Sequence, residues 1–453
     1  MSKSSDIADL FDHLELNDAF LAAQYPADIE DFCKVYPEKV IGLALVGPNE
    51  TNSSAFEIIA ERILMINSEH GPTKTAANDF KKDLKKASTY EIKNYEILPW
   101  SDISIDHPKQ LFESLSNFFG SMGPKKNAFA KSKVGGKFKD TYFSIEGCGP
   151  PLILFPFTLS AAQWKPIIPL LAEKFTVITL SGPNLGFIPV LESRAALPTY
   201  QTMISSLVSI MNITPNGKIL ELGCGTGALC RQVLNLRPDL SVTGVDINTY
   251  LLNGAIQIAE NEDLYVNNYI DEKEFTVKNF SEAGELNFAY SDAIDIPFPD
   301  NFFDAVYSVT VLEECDADKA IKEIVRVVKP GGPIGIIVRA IDMPQWFNFD
   351  ITGELKHKLN IPLQLKSTYG IADKSLYDQM RKNGLHESIN FPSMVAVPRG
   401  KNKNLFEWFL RRTRQTLNED EKIELDDELK KISDKSNLIY SMPFHCSVGW
   451  KQY

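Results

Sequence analysis

The stretch Lys218–Cys230, KILELGCGTGALC, limits what this chain can fold into more than any other. An apolar strand runs into Gly223, Gly225 and Gly227 and then into helix-forming residues. Glycines so placed permit a tight strand-to-helix turn through backbone conformations closed to other residues. They also let a ligand lie on the main chain at a helix N-terminus. The expected context is a parallel α/β sheet with a nucleotide-like ligand at the carboxyl ends of its strands.

Two details select among ligands. A Rossmann dinucleotide fingerprint spaces its glycines G-x-G-x-x-G and offers bare N–H groups to a pyrophosphate; here the spacing is G-x-G-x-G, and Glu221 stands two residues before the first glycine. A carboxylate there repels pyrophosphate and suits a ligand with an ammonium group, and S-adenosylmethionine carries both an ammonium and a sulfonium. Asp246, 19 residues past Gly227, closes the next strand, SVTGVD, where an acid can accept hydrogen bonds from both ribose hydroxyls. Further on, Tyr290-Ser291-Asp292-Ala293 and Ile296-Pro297-Phe298-Pro299-Asp300 place a carboxylate and a backbone N–H beside apolar side chains, which suits an adenine edge.

From about Tyr200, candidate strands alternate with candidate helices. The strands are Lys218–Leu222, Ser241–Val245, Asp304–Val309, Ile334–Arg339, Met394–Val397 and Ser447–Lys451; the helices are Ala228–Leu236, Leu251–Asn261, Lys319–Val327 and Leu405–Leu417. ELGCGTG, GVDIN, SDAIDIPFPDNFFDAVYSVTVLEE and KEIVRVVKPGG occur in that order, and together they resemble the class I S-adenosylmethionine-dependent methyltransferase family across residues 200–453. The resemblance implies a Rossmann-like seven-stranded sheet, mostly parallel, with its last strand antiparallel. It implies that Glu221, Gly223 and Gly225 hold the methionine moiety and that Gly227 packs helix on sheet. Asp246 would bind ribose, Ile247 would pack on adenine, Asp292 and Ala293 would read the adenine amino edge, and Ser308 would lie near the sulfonium. Lys329–Gly332 becomes a structural turn.

Transfer from a sulfonium expels a neutral leaving group, so positioning can supply much of the catalysis and no metal is expected. An oxygen or carbon acceptor needs a general base. Where the family often has a histidine after an acid, this chain has Glu313-Glu314, so Glu314 is a candidate base or anchor for a cationic acceptor, with a helix cap before Asp316 as the plainer role. His445, in SMPFHCSVGW, is the other candidate, set against a packed, satisfied histidine. The segment Ile341–Leu385, with Met343, Trp346, Phe347, Phe349 and Tyr369, is expected to line a small-molecule acceptor pocket, or else to pack in the core. Leu405–Leu417 reads as an amphipathic helix, with an anionic-acceptor or membrane-surface role as the alternative.

Residues 1–122 and 141–199 read as a smaller α/β region joined by a basic linker, 123–140, with Lys125, Lys126, Lys131, Lys133, Lys137 and Lys139. Tyr36–Pro48 and Asp106-His107-Pro108 resemble later parts of the α/β-hydrolase family and Pro150–Gly186 its beginning, so the order is swapped. No G-x-S-x-G elbow occurs and Ser101 stands where a histidine is expected, which implies a non-catalytic remnant that shapes the acceptor site, self-associates or recruits a protein partner. A net charge of −12 argues against nucleic acid. Six scattered cysteines without a C-x-x-C pair, and no long apolar run, point to a cytoplasmic protein without disulfides or a transmembrane segment. The function classes kept open are a small-molecule methyltransferase, a catalytically silent cofactor-binding regulator or scaffold, and a protein methyltransferase.

Overall fold

The computed structural model describes residues 3–48, 53–97, 103–123, 134–157, 161–269, 284–349, 351, 353–364, 366–414 and 416–452. The chain divides into two compact units, 1–189 and 190–453.

The first unit is built on eight strands: β1 Ala19–Ala23, β2 Val40–Val46, β3 Ile63–His70, β4 Ser88–Glu96, β5 Gly135–Phe138, β6 Thr141–Gly147, β7 Pro151–Leu154 and β8 Thr176–Ser181. β1 and β2, AFLAA and VIGLALV, are buried at every residue, as strands covered on both faces must be. The sheet order is β4-β3-β2-β1-β7-β8-β6-β5, parallel from β4 through β8, with β6 and β5 antiparallel. The strands after residue 134 thus form one half of the sheet, and β1 continues it from β7, so strands early in the chain lie beyond later ones.

Part of the expected linker is not a linker. Gly135–Phe138 is an edge strand paired with β6, and a Cβ on Gly136 would come within 3.0 Å of the Phe143 ring, so the small residue permits the close pairing. Lys139 is held by Asp6 and Asp9 at 2.6 and 2.7 Å. Lys125, Lys126, Lys131, Lys133 and Ser101 lie outside the described residues. Asp106 accepts from the Tyr95 hydroxyl at 2.6 Å, and His107 Nδ1 is 3.0 Å from Gln110 Oε1.

The second unit carries nine strands: β9 Lys218–Leu222, β10 Ser241–Asp246, β11 Val266–Tyr269, β12 Leu286–Tyr290, β13 Ala305–Val309, β14 Pro333–Arg339, β15 Trp346–Phe347, β16 Leu385–Pro398 and β17 Ile439–Lys451. Their order is β11-β12-β10-β9-β13-β14-β17-β15, with β16 also paired to β17. β17 is antiparallel to both β14 and β16, as expected for the last strand. Among the described residues the sheet has nine strands where seven are expected. β11 extends the edge beside β12, and the two-residue β15 adds to β17. Both are too short to carry a periodic signal.

Phe347 and Phe349 lie in the core, tilted against each other, and Phe347 also meets Phe406 of the helix Lys403–Arg414 edge-on and Tyr440 of β17 at a tilt. Those two aromatics therefore pack rather than line a pocket, whereas Trp346 and Tyr369 are exposed. The helix buries Phe406 and Leu410, and its Arg412 and Arg414 meet Trp408 and Asp426, the ordinary amphipathic arrangement. Among the described residues no helix is long and apolar enough to cross a membrane.

Candidate functional site

β9 delivers the chain into the glycine turn, and the turn is stitched to β10: the N–H groups of Gly223 and Cys224 both donate to the Val245 carbonyl, at 2.8 and 2.9 Å. Gly223, Gly225 and Gly227 all have positive φ, +73°, +54° and +67°, where side chains are disfavoured. Their surroundings differ. A Cβ on Gly223 would meet Val311 at 2.2 Å and one on Gly227 would meet Phe288 at 2.4 Å, whereas Gly225 has nothing nearer than Leu191 at 3.6 Å. Two glycines serve close packing; Gly225 leaves the backbone open to a ligand.

Glu221 lies beneath this turn, 2% exposed, opposite Gly244 on β10 and Tyr307 on β13. The absent Gly244 side chain makes room for the thiols of Cys224 and Cys230. Glu221 Oε2 accepts from Cys230 Sγ at 2.8 Å and from the Tyr307 hydroxyl at 2.9 Å. Burial outweighs these bonds and raises its pKa to about 7. A carboxylate so placed is short of positive charge.

Asp246, at the tip of β10, shapes the same mouth. Its Oδ2 accepts from Gly225 N–H and its Oδ1 from Asn248 N–H, each at 2.8 Å, and burial raises its pKa. A carboxylate has about four acceptor positions, so two remain for hydroxyl donors. Beyond it, Ile247 is 56% exposed and Tyr290 at the end of β12 is 45% exposed, two large apolar groups held in solvent beside a polar rim. Asp292 Oδ1 accepts from Ile294 N–H at 3.1 Å, and Ala293 packs against the core next to it. Ser308 is buried on β13 and its hydroxyl donates to the Leu222 carbonyl at 3.0 Å.

Glu314 is exposed, and its charge acts on Asp246; the cap of the following helix is Asp316, whose Oδ1 accepts from Lys319 N–H at 3.2 Å, so Glu314 is not a helix cap. His445 is 5% exposed and occupied at both nitrogens, Nε2 by Asp342 Oδ1 and Nδ1 by the Tyr377 hydroxyl, both at 2.7 Å. It is the packed, satisfied histidine. Tyr377 also stands on the wall of a cleft of about 740 Å³ whose lining includes Lys374, Arg381 and Ser388 but no residue of the glycine turn.

Residues not singled out in the sequence gather beside this mouth. Glu313 is wholly buried; Oε1 accepts from Arg339 N–H at 2.7 Å and Oε2 has no hydrogen-bond partner. The Tyr200 hydroxyl and the Arg194 Nε are likewise buried without a partner at hydrogen-bonding geometry, although the Thr310 side chain bears on the Tyr200 hydroxyl. Glu313 adjoins Glu314 in the sequence, but nothing in the pattern tells which of the two faces inward. Among the described residues no cluster of three or more His, Cys, Asp or Glu is spaced to hold a metal ion.

Residues 220–336 match the family described as "Methyltransferase domain". That match falls within the second unit. The glycine turn, Asp246, Tyr290 and the Glu313 loop all lie within the matched residues. The chain is similar to a sterol 24-C-methyltransferase of Aspergillus fumigatus, with 32% identity over 31% of this chain and 33% of that protein. It is similar also to an O-methyltransferase of Pyrenophora dematioidea, 27% identical over 31% of this chain and 46% of that protein. It thus spans about a third to a half of the length of these relatives. Among solved structures, a geranyl diphosphate C-methyltransferase from Streptomyces coelicolor is 13% identical and covers 55% of this chain and 80% of that one, with a TM-score of 0.31.

Proposed function

We propose that the chain is an S-adenosylmethionine-dependent methyltransferase acting on a small-molecule acceptor, and that it works in the cytoplasm. The observation that carries this reading is Glu221, a carboxylate enclosed beneath a methyltransferase-type glycine turn with its pKa raised to about 7. A bound cation is what such a group lacks, and a diphosphate is what it would repel. The open Gly225 backbone and the exposed pair Ile247 and Tyr290 fit the same ligand, one polar and cationic at one end and aromatic at the other.

In this reading Glu221, Gly223 and Gly225 hold the methionine part, Asp246 the ribose and Ile247 with Tyr290 the adenine ring, whose amino edge meets Asp292 and Ala293. Ser308 stays committed to the Leu222 carbonyl and contributes shape near the sulfur. When bound, S-adenosylmethionine supplies an electrophilic methyl group whose leaving group is a neutral sulfide. The domain's own residues orient that group, hold the turn rigid through the Val245 and Asp246 bonds, and keep water from the reacting atoms. We assign the first unit a non-catalytic role, self-association or recruitment of a protein partner.

The test is incubation of the full chain with methyl-labelled donor and a metabolite extract. Labelled small molecules together with S-adenosylhomocysteine support the reading. Binding without turnover would make the chain a silent regulator, and label in macromolecules would make it a protein methyltransferase.

A further inference from the structure

At the carboxyl ends of β13 and β14, three buried polar atoms lack partners: Arg194 Nε, the Tyr200 hydroxyl and Glu313 Oε2. Tyr200 and Glu313 are 1% and 0% exposed. The three are neighbours. The Arg194 guanidinium lies over the Tyr200 ring, 5.4 Å from its centroid, and reaches the Thr310 hydroxyl at 3.5 Å; Arg194, Glu221 and Glu313 are the charges that act on the Tyr200 hydroxyl, and the Thr310 side chain also bears on it. They also adjoin the glycine turn. Val311, between Thr310 and Glu313, packs on Gly223, and Leu191, three residues before Arg194, stands over Gly225.

Leaving a buried donor or acceptor unpaired costs on the order of 1–3 kcal/mol, so three together mark a place kept for a ligand. The unfilled set is two N–H or O–H donors and one carboxylate oxygen. An ammonium only donates, and would leave Arg194 unpaired beside a like charge. A carboxylate only accepts, and would face Glu313. A hydroxyl accepts twice and donates once, which matches the set.

We propose that Arg194, Tyr200 and Glu313 seat the reacting hydroxyl of the methyl acceptor, with Glu313 as the group that takes its proton. This rests on the methyltransferase reading above. The acceptor hydroxyl accepts from Arg194 Nε–H and Tyr200 O–H and donates to Glu313 Oε2. Its proton passes to Glu313, the lone pair so released forms the new O–CH3 bond, and the S–CH3 bond of the donor breaks with its electron pair remaining on sulfur. Burial raises the Glu313 pKa, which strengthens it as a base. Arg194 and Tyr200 stabilise the developing oxyanion.

The experiment uses the full chain saturated with S-adenosylhomocysteine. Phenol and cyclohexanol are titrated against their hydroxyl-free counterparts, toluene and methylcyclohexane, for wild type, Tyr200→Phe and Glu313→Gln. The expected result is at least a tenfold preference of wild type for one hydroxyl probe over its counterpart. Each variant should lose that preference while its S-adenosylhomocysteine affinity stays within twofold, and the melting temperature of Tyr200→Phe should be unchanged or higher. No preference in wild type, or a variant that keeps it, overturns the subsite. So does a lower melting temperature for Tyr200→Phe, which would mean that the hydroxyl is a satisfied structural group. Failure of wild type to bind S-adenosylhomocysteine at all would instead overturn the methyltransferase reading on which the subsite stands.

Discussion

Glu221 gives donor binding a pH dependence that can be worked out in sign and size. In the free protein its pKa is about 7, against an ordinary 4.5, because burial outweighs the bonds from Cys230 and Tyr307. The charges facing it are Asp246, which raises the value further, and Arg231, which lowers it. A cationic ligand binds the ionised form and pulls the pKa down. Binding therefore expels a proton below pH 7 and tightens as pH rises. If the bound value returns to about 4.5, the apparent affinity for S-adenosylhomocysteine rises roughly eightfold from about pH 6.0 to about pH 7.5, or about 1.2 kcal/mol. Any titration of the ligand itself enters the slope of both proteins alike. Isothermal titration across the range should therefore compare wild type with Glu221→Gln, which keeps the shape and removes the titration. The difference between the two slopes isolates Glu221. The free protein should show the reverse effect in thermal melts: the folded state keeps this proton to about pH 7, so the contribution of Glu221 to stability falls as pH rises from about 4.5 to 7. Equal pH slopes in the two proteins, or a wild-type affinity that weakens relative to the variant as pH rises, would refute the argument.

Four other outcomes are expected. Gly227→Ala should cost about 2 kcal/mol or more of stability in denaturant melts, because the added methyl meets Phe288 at a positive φ. Gly225→Ala, in open surroundings, should cost only about 1 kcal/mol of backbone strain while weakening donor binding sharply in calorimetry. Asp246→Ala should weaken donor binding by about 1–3 kcal/mol and also lower the melting temperature, because the lost carboxylate tethers Gly225 and Asn248. His445→Ala should lower stability by about 1–3 kcal/mol through loss of the Asp342 and Tyr377 bonds, yet leave the donor dissociation constant unchanged, as isothermal titration would report.

The cofactor side of the site was legible because its signals are local. Glycines at fixed spacing after an apolar strand, an acid at the next strand tip and an ordered set of later motifs all sit within short windows. The helix Ala228–Leu236 and strand β9 have the boundaries that the pattern indicated. Long-range facts were not legible. Tyr200 and Glu313 are more than a hundred residues apart in the chain; Tyr200 lies on the helix Pro198–Met211, which packs on β14 and β17, and Glu313 on the loop after β13, the strand paired with β14, so tertiary packing alone brings them together. The spacing sets Glu221 two residues before the first glycine but does not show that it is enclosed beneath the turn. The register that sets it against Gly244 and Tyr307 turns its side chain toward the helix that carries Cys230. Aromatic content alone could not separate Phe347 and Phe349, which fill the core, from the exposed Trp346 and Tyr369.

Equilibrium dialysis of the full chain against S-adenosylmethionine and NADH together tests the central claim most directly. Retention of S-adenosylmethionine at about one molecule per chain, with NADH free to leave, is the result expected of a turn built over a buried carboxylate. Retention of NADH with S-adenosylmethionine washing through would contradict it.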